Sequence, residues 1–216
     1  MDSINLADAL SYPLNVEYLL RKKKSIKRNL LNQDIAWLDK KIAILCGSTA
    51  DEIKDQLELF LLYEGIRPSF YVSEYNQYWE DAVFGNPELA AFNPDIIYVH
   101  TTSRNITQYP TAAMTASQIN EMLQEQFEHF QTMWAQLSKT YHCPVIQNNF
   151  ERPSYRLLGN QDVADIHGRS NFIYRLNGML YEYANQHENF FIHDIDYLCG
   201  SIWANTVASS GVLGSI

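Results

Sequence analysis

From Lys41 onward the chain alternates short apolar runs with longer stretches whose apolar residues recur every three or four places, and that alternation leaves few folds open. Ile42 to Cys46 is a continuous apolar run bounded by turn residues, the mark of a strand buried on both faces. Residues 51–63 carry a helical stripe of Ile53, Leu57, Phe60 and Leu61, stopped by Gly65. Ser69 to Ser73 reads as a second strand after Pro68, and Ile96 to His100 as a third after Asn93-Pro94-Asp95. The clearest helix covers 116–137, where Ile119, Met122, Leu123, Phe127, Phe130, Trp134 and Leu137 keep the 3.6 period with one polar interruption, Gln126. Pro144 to Gln147 is a fourth strand. Residues 169–185 form a helix with Phe172, Ile173, Leu176, Leu180 and Tyr183 on one side, and Phe190 to Ile195 is a fifth strand. Strands alternating with helices imply right-handed crossovers and a parallel sheet covered on both faces. The expected class is therefore α/β: three layers, α/β/α, around a five-stranded, mainly parallel sheet, for which the order 2-1-3-4-5 is taken.

Residues 1–40 read as a helical leader packed on this core, 41–200 as the α/β domain and 201–216 as an irregular tail. In the leader, Pro13 precedes a helix in which Leu19, Ile26 and Leu30 recur at helical spacing. The same helix bears Arg21, Lys22, Lys23, Lys24, Lys27 and Arg28, six of the sixteen basic residues, so the remainder of the chain holds 10 basic against 25 acidic residues. Such a run binds phosphate or anionic lipid, or more plainly forms a solvated face over an apolar seam. A net charge of −9 argues against general nucleic-acid binding. Cys46, Cys143 and Cys199 are odd in number, widely spaced and unlike a CxxC pair, which fits reduced thiols. No run approaches the ~18 apolar residues of a membrane span and no signal pattern opens the chain, so a cytoplasmic protein is expected.

In open parallel sheets ligands bind beyond the carboxyl ends of the strands, where strand order reverses. For the order 2-1-3-4-5 that point lies between strands one and three. The loops there read Gly47-Ser48-Thr49 and His100-Thr101-Thr102-Ser103-Arg104-Asn105. Ser48 sits on a tight strand-to-helix turn, near backbone N–H groups able to hold an anion or an oxyanion. Its plainer role is capping: Ser48-x-x-Asp51 and Thr49-x-x-Glu52 both match a capping box, and spacing alone puts capping ahead of catalysis. His100 serves as base, ligand contact or, by default, a satisfied core histidine. Arg104 and Asn105 are better binding candidates, because a charged or amide side chain in a short loop after a buried strand usually faces solvent or ligand. Asn148 and Asn149, then Arg152, follow strand four beside that loop; asparagine is an oxyanion donor and equally a common turn residue. His193-Asp194-Ile195-Asp196 ends strand five, but metal ligation needs three or four convergent donors and nothing else has ligand spacing, so neither metal nor cofactor is expected in this chain. Asp194-x-Asp196 also resembles the strand-end acidic pair of haloacid-dehalogenase phosphatases. Leu198 stands where that family has Thr or Val, and eighteen residues are too few for its later motifs, so the assignment is rejected. P-loop, GxGxxG, HExxH and GxSxG motifs are absent.

The stretches KSIKRNLL, KKIAILCGSTADEIKDQLELFLLYEGIRPSFYVSEYNQY and NPDIIYVHTTSRNI resemble the N-terminal domain of FkbH-like proteins, from about residue 14 to about residue 198. The resemblance implies an SGNH-hydrolase-like, flavodoxin-like fold, followed in full-length members by a haloacid-dehalogenase-like domain that could depend on Mg. It also implies a setting in which a phosphorylated glyceryl donor is dephosphorylated and loaded onto an acyl-carrier protein. By this resemblance Ser48 matches the block-one serine, Glu74, Tyr75 and Asn76 occupy the block-two region, and Thr101 to Asn105 lies at the Asn-bearing oxyanion loop. Two departures stand out: Cys46 replaces the first Gly of the family's Gly-Gly-Ser-Thr turn, and no His follows Asp196 to complete the Asp-x-x-His pair. Without that base Ser48 has no evident activator. Two functions follow. One is a module that binds a phosphorylated or acyl ligand, or docks a carrier protein, at Gly47, Thr49, Glu74, Tyr75, Asn76, Thr101, Arg104, Asn105, Asn148 and Asn149. The other is a serine ester hydrolase or acyltransferase with Ser48 as nucleophile and His100 as base.

Overall fold

The computed structural model describes residues 6–11, 14–153 and 155–199. Pro13 and the tail 201–216 lie outside the described residues. The sheet has five strands, β1 (Leu38–Cys46), β2 (Ile66–Val72), β3 (Ile96–His100), β4 (Val145–Asn148) and β5 (Phe190–His193), in the order β2-β1-β3-β4-β5 with every neighbouring pair parallel. The helices are α1 (Leu6–Leu10), α2 (Val16–Leu31), α3 (Asp51–Tyr63), α4 (Tyr78–Val83), α5 (Pro87–Phe92), α6 (Ala116–Tyr141) and α7 (Arg169–Gln186). The α/β class and the strand order are those expected.

Where the boundaries shift, the cause is local. β2 begins at Ile66, ahead of Pro68, because β2 is an outer strand and a proline there removes no shared ladder bond. β1 extends back to Leu38 because Leu38 to Lys41 pair with Ile66 to Ser69, and Arg67 grips Asp39 through two bonds of 2.7 and 2.9 Å. The six-residue α4 and α5, each under two turns, carry too few residues for a period to show.

Alternate residues of the strands feed two cores. Ala43, Leu45, Ile97, Val99, Val145 and Phe190 pack with the predicted stripes of α6 and α7, where Phe130, Trp134, Phe172 and Leu176 are fully buried. On the other face, Ile42, Ile44, Cys46 and Tyr98 meet α3. The most buried residues of α3 are Leu59 and Leu62, which lie outside the expected stripe because α2 packs on that side through Leu19, Ile26 and Leu30. The basic run resolves on the same contact. Lys23 bonds Asp55 at 2.9 Å and Lys27 bonds Glu58 at 2.6 Å across the α2–α3 seam, while Arg21, Lys22, Lys24 and Arg28 stay exposed. The face carrying α3 departs from expectation. Among the described residues its far half is an open apolar groove of about 470 Å³, lined by residues that include Ile96, Tyr98, Ile146, Phe191 and His193.

Candidate functional site

The loops that follow β1, β2 and β3 are tied by one side chain. Asn105 donates its amide N–H groups to the Gly47 carbonyl and to Asn76 Oδ1, both at 3.1 Å, and its Oδ1 accepts from the Thr102 backbone N–H at 2.9 Å. Gly47 N–H in turn donates to the His100 carbonyl at 2.8 Å. Asn76 holds φ at 61°, a left-handed conformation that asparagine tolerates better than most residues. At Gly47 the constraint is space: a Cβ there would lie 2.4 Å from the Asn105 amide. Both amide hydrogens of Asn105 are thus committed to protein oxygens.

Beside this junction lies a cleft of about 260 Å³ lined by Asn76, Trp79, Arg104, Asn105, Thr107 and His129, with Tyr78 and Glu80 at its wall. Arg104 is exposed and has no ion pair among the described residues. Trp79 and His129 stack at 4.9 Å between centroids and 4° between planes, and the indole N–H donates to the His129 carbonyl at 3.2 Å. Burial pushes the His129 ring below its ordinary pKa, with Glu80 pulling the other way, so a neutral imidazole is favoured. Gln126 stands one turn before His129. Its Oε1 accepts from both the N–H and the hydroxyl of Thr107 at 2.8 Å, while its buried Nε2 has no partner.

Ser48 is half-buried on the turn, and Thr49 is exposed. The capping expectation fails at both: the residue at the N-cap of α3 is Ala50, with no side-chain cap bond. Among the described residues the Ser48 hydroxyl makes no hydrogen bond. His100 is half-buried and turned to the α3 side, where its Nδ1 lies 3.3 Å from Tyr98 Oη; burial is the main cause holding its ring below the ordinary value.

Thr101, Asn148 and Asn149, expected to face a ligand, are instead fully buried scaffold. Asn148 accepts from Thr101 N–H at 2.8 Å and donates to the Thr101 and Asn149 carbonyls at 2.6 and 2.7 Å. Gln147 links the Thr101 hydroxyl to the indole N–H of Trp134 at 2.9 and 3.0 Å, so a buried polar chain runs from α6 to the loop after β3. Asn149 donates to Tyr181 and Asp194 at 2.7 Å and accepts from the Asp196 N–H at 3.1 Å, which fixes the chain after β5. Glu74 and Tyr75 are exposed, and Glu74 borders a different cleft with Tyr71, Asp81 and Glu88. Arg152 pairs with Asp196 at 2.9 Å. Trp79, Glu80, Thr107, Gln126 and His129 were not singled out from sequence as site residues. One signal existed, the polar interruption at Gln126 in an otherwise apolar stripe.

A family model described as FkbH, N-terminal domain, matches residues 41–212. Among solved structures, the crystal structure of the N-terminal part of a Bacteroides fragilis protein containing a phosphatase domain, complexed with Mg, is similar in fold. The TM-score is 0.69 at 15% identity, and the match covers 88% of this chain and 50% of that one. The chain therefore spans about half the length of that structure. No curated protein matches.

Proposed function

On the premise that the chain belongs to the FkbH N-terminal domain family, we propose that it is an SGNH-like module that binds a phosphorylated ligand without a complete catalytic triad. The observation that carries this reading is the double commitment of Asn105. A donor whose two N–H groups already serve Gly47 and Asn76 has none left for an oxyanion. Among the described residues no imidazole bonds Ser48, and the Nδ1 of His100 faces Tyr98. What the crevice offers is an exposed guanidinium, without an ion pair among the described residues, at the mouth of a cleft floored by amides and a stacked Trp–His wall. Guanidinium suits phosphate through paired N–H donors. A phosphatase-like domain, dependent on Mg, would perform the chemistry in the longer protein. A carrier protein would find its cationic contact at Arg21, Lys22, Lys24 and Arg28, since Lys23 and Lys27 are neutralised on α3.

Titration with inorganic phosphate and with glyceryl phosphate, followed by Trp79 emission against a Trp79→Phe control, tests the cleft. Arg104→Ala is expected to weaken the phosphate ester on the order of tenfold or more, the worth of one charge-assisted contact. Equal affinity for the variant and the parent would reject the cleft.

A second reading, Ser48 as the nucleophile of an ester hydrolase or acyltransferase, draws on its hydroxyl being free of the helix cap. His100 would then have to turn from Tyr98 to act as base. Covalent labelling with a fluorophosphonate, lost in Ser48→Ala, is the expected sign of that reading; equal labelling of the two proteins discards it.

A further inference from the structure

On the opposite face of the sheet from the Arg104 cleft, three side chains from β3 and β5 converge. Tyr98 and His100 stand two apart on β3, and His193 ends β5, with β4 between them. Tyr98 Oη lies 3.3 Å from His100 Nδ1 and 3.2 Å from His193 Nδ1. A phenol has one proton, so it can donate to one ring only; the other ring must donate its own proton or face the oxygen lone pair to lone pair. The 3.2 Å separation lies at the long end of the roughly 2.7–3.2 Å of nitrogen–oxygen hydrogen bonds and the 3.3 Å one just beyond it. They match another geometry. Ligand atoms held at about 2.0–2.1 Å around a tetrahedral zinc are separated by roughly 3.3–3.4 Å.

We propose that His100 Nδ1, His193 Nδ1 and Tyr98 Oη form a binding site for a first-row transition-metal cation, with a fourth position left for an exogenous ligand. Among the described residues no three His, Cys, Asp or Glu side chains group as metal ligands, so the phenol is what completes this donor set. Two imidazoles and a phenolate suit zinc or copper rather than magnesium, which takes oxygen donors and keeps water. Tyr98 is buried and fixes the inner donor, while His193 is exposed at the end of β5, where a cation can arrive. Desolvation lowers the pKa of both rings, at half-buried His100 and at His193 where it lines the groove, and so favours the neutral form that ligates a metal. It also raises the Tyr98 phenol to about 12, a cost that a nearby divalent charge reverses. Glu151 acts on His100 and Asp194 on His193, and both favour positive charge between the rings. The step balances simply: each ring carries its proton on Nε2, the metal takes two nitrogen lone pairs and one phenolate lone pair, and the phenolic proton leaves to solvent.

Calorimetric titration of the full chain with zinc and with copper, against magnesium as control, tests the site. The expected result is one ion per chain, one proton released per ion near neutral pH, and tighter binding as pH rises while any protonated rings lose their protons. Tyr98→Phe keeps both rings and the buried face, and should weaken zinc at least about tenfold and remove the visible phenolate-to-copper absorption. His193→Ala, on the exposed strand end, should weaken zinc equally, so a folding defect in one variant leaves the other decisive. His167→Ala, at a surface pair with Asp165, should change nothing. Absence of stoichiometric zinc or copper binding, or binding that both Tyr98→Phe and His193→Ala leave intact, overturns the site.

Discussion

Asn148→Ala should cost at least roughly 3 kcal/mol of stability, because it strips three buried backbone groups of their partners at about 1–3 kcal/mol each. Thr101 N–H, the Thr101 carbonyl and the Asn149 carbonyl all depend on that one amide. Domains of ordinary stability hold about 5–15 kcal/mol, so the variant should be close to unfolding at physiological temperature. The loop from Thr101 to Asn105 is anchored at Thr101 as well as at Ser103 by Glu151 and at Asn105, so loss of the first anchor should loosen Arg104 in the cleft and weaken phosphate binding. Urea unfolding of the variant measures the first effect and the phosphate titration the second. A loss under about 1 kcal/mol would mean that water replaces the amide without penalty and that the buried chain from Trp134 to Thr101 is not what holds the loop.

Gly47→Ala should disable the cleft while leaving the fold standing. The added Cβ meets the Asn105 amide at 2.4 to 2.5 Å, and Asn105 cannot retreat without breaking its bonds to Thr102, Gly47 and Asn76. Overpacking of this kind costs about 1–3 kcal/mol. The expected functional loss is larger, since Asn105 and Asn76 both border the cleft. Asn105→Ala supplies the control. If the clash with that side chain is the cause, Gly47→Ala placed on Asn105→Ala should add little further loss, a non-additivity expected of residues in contact. Additive losses in the double variant would show that the glycine is required for its backbone and not for the space it leaves.

The site was only partly legible beforehand, and particular residues show why. Gly47, Arg104 and Asn105 were named from loop position and Asn76 from the family resemblance, and the structure brings them to one place. Thr101, Asn148 and Asn149 shared the same loop ends and the same residue types, yet are sealed inside. Residue type cannot separate the two groups, because an asparagine that faces solvent and one that satisfies a buried carbonyl look alike in a string. Ser48 and Thr49 matched capping boxes by spacing, but the N-cap of α3 is Ala50, two residues past Ser48 and one past Thr49. His129 and Trp79 belong to helices that meet only across the core, fifty residues apart in sequence.

Periodicity determined the rest. Apolar runs and 3.6-residue stripes are written in consecutive residues, so the five strands and the two long helices were readable from the chain, whereas periodicity does not rank the strands and the order 2-1-3-4-5 was assumed with the fold that the resemblance implies. What only the tertiary structure decided is which polar atoms are already taken. Asn105 gives both N–H groups away, Lys23 and Lys27 are spent on α3, and Tyr98 faces two histidines from strands that do not adjoin. The physical reason is range: a helix or strand is set by neighbours a few residues away, whereas these polar partners, the Tyr98–His100 pair on one strand excepted, lie 29 to 95 residues apart and are fixed only once the sheet has closed.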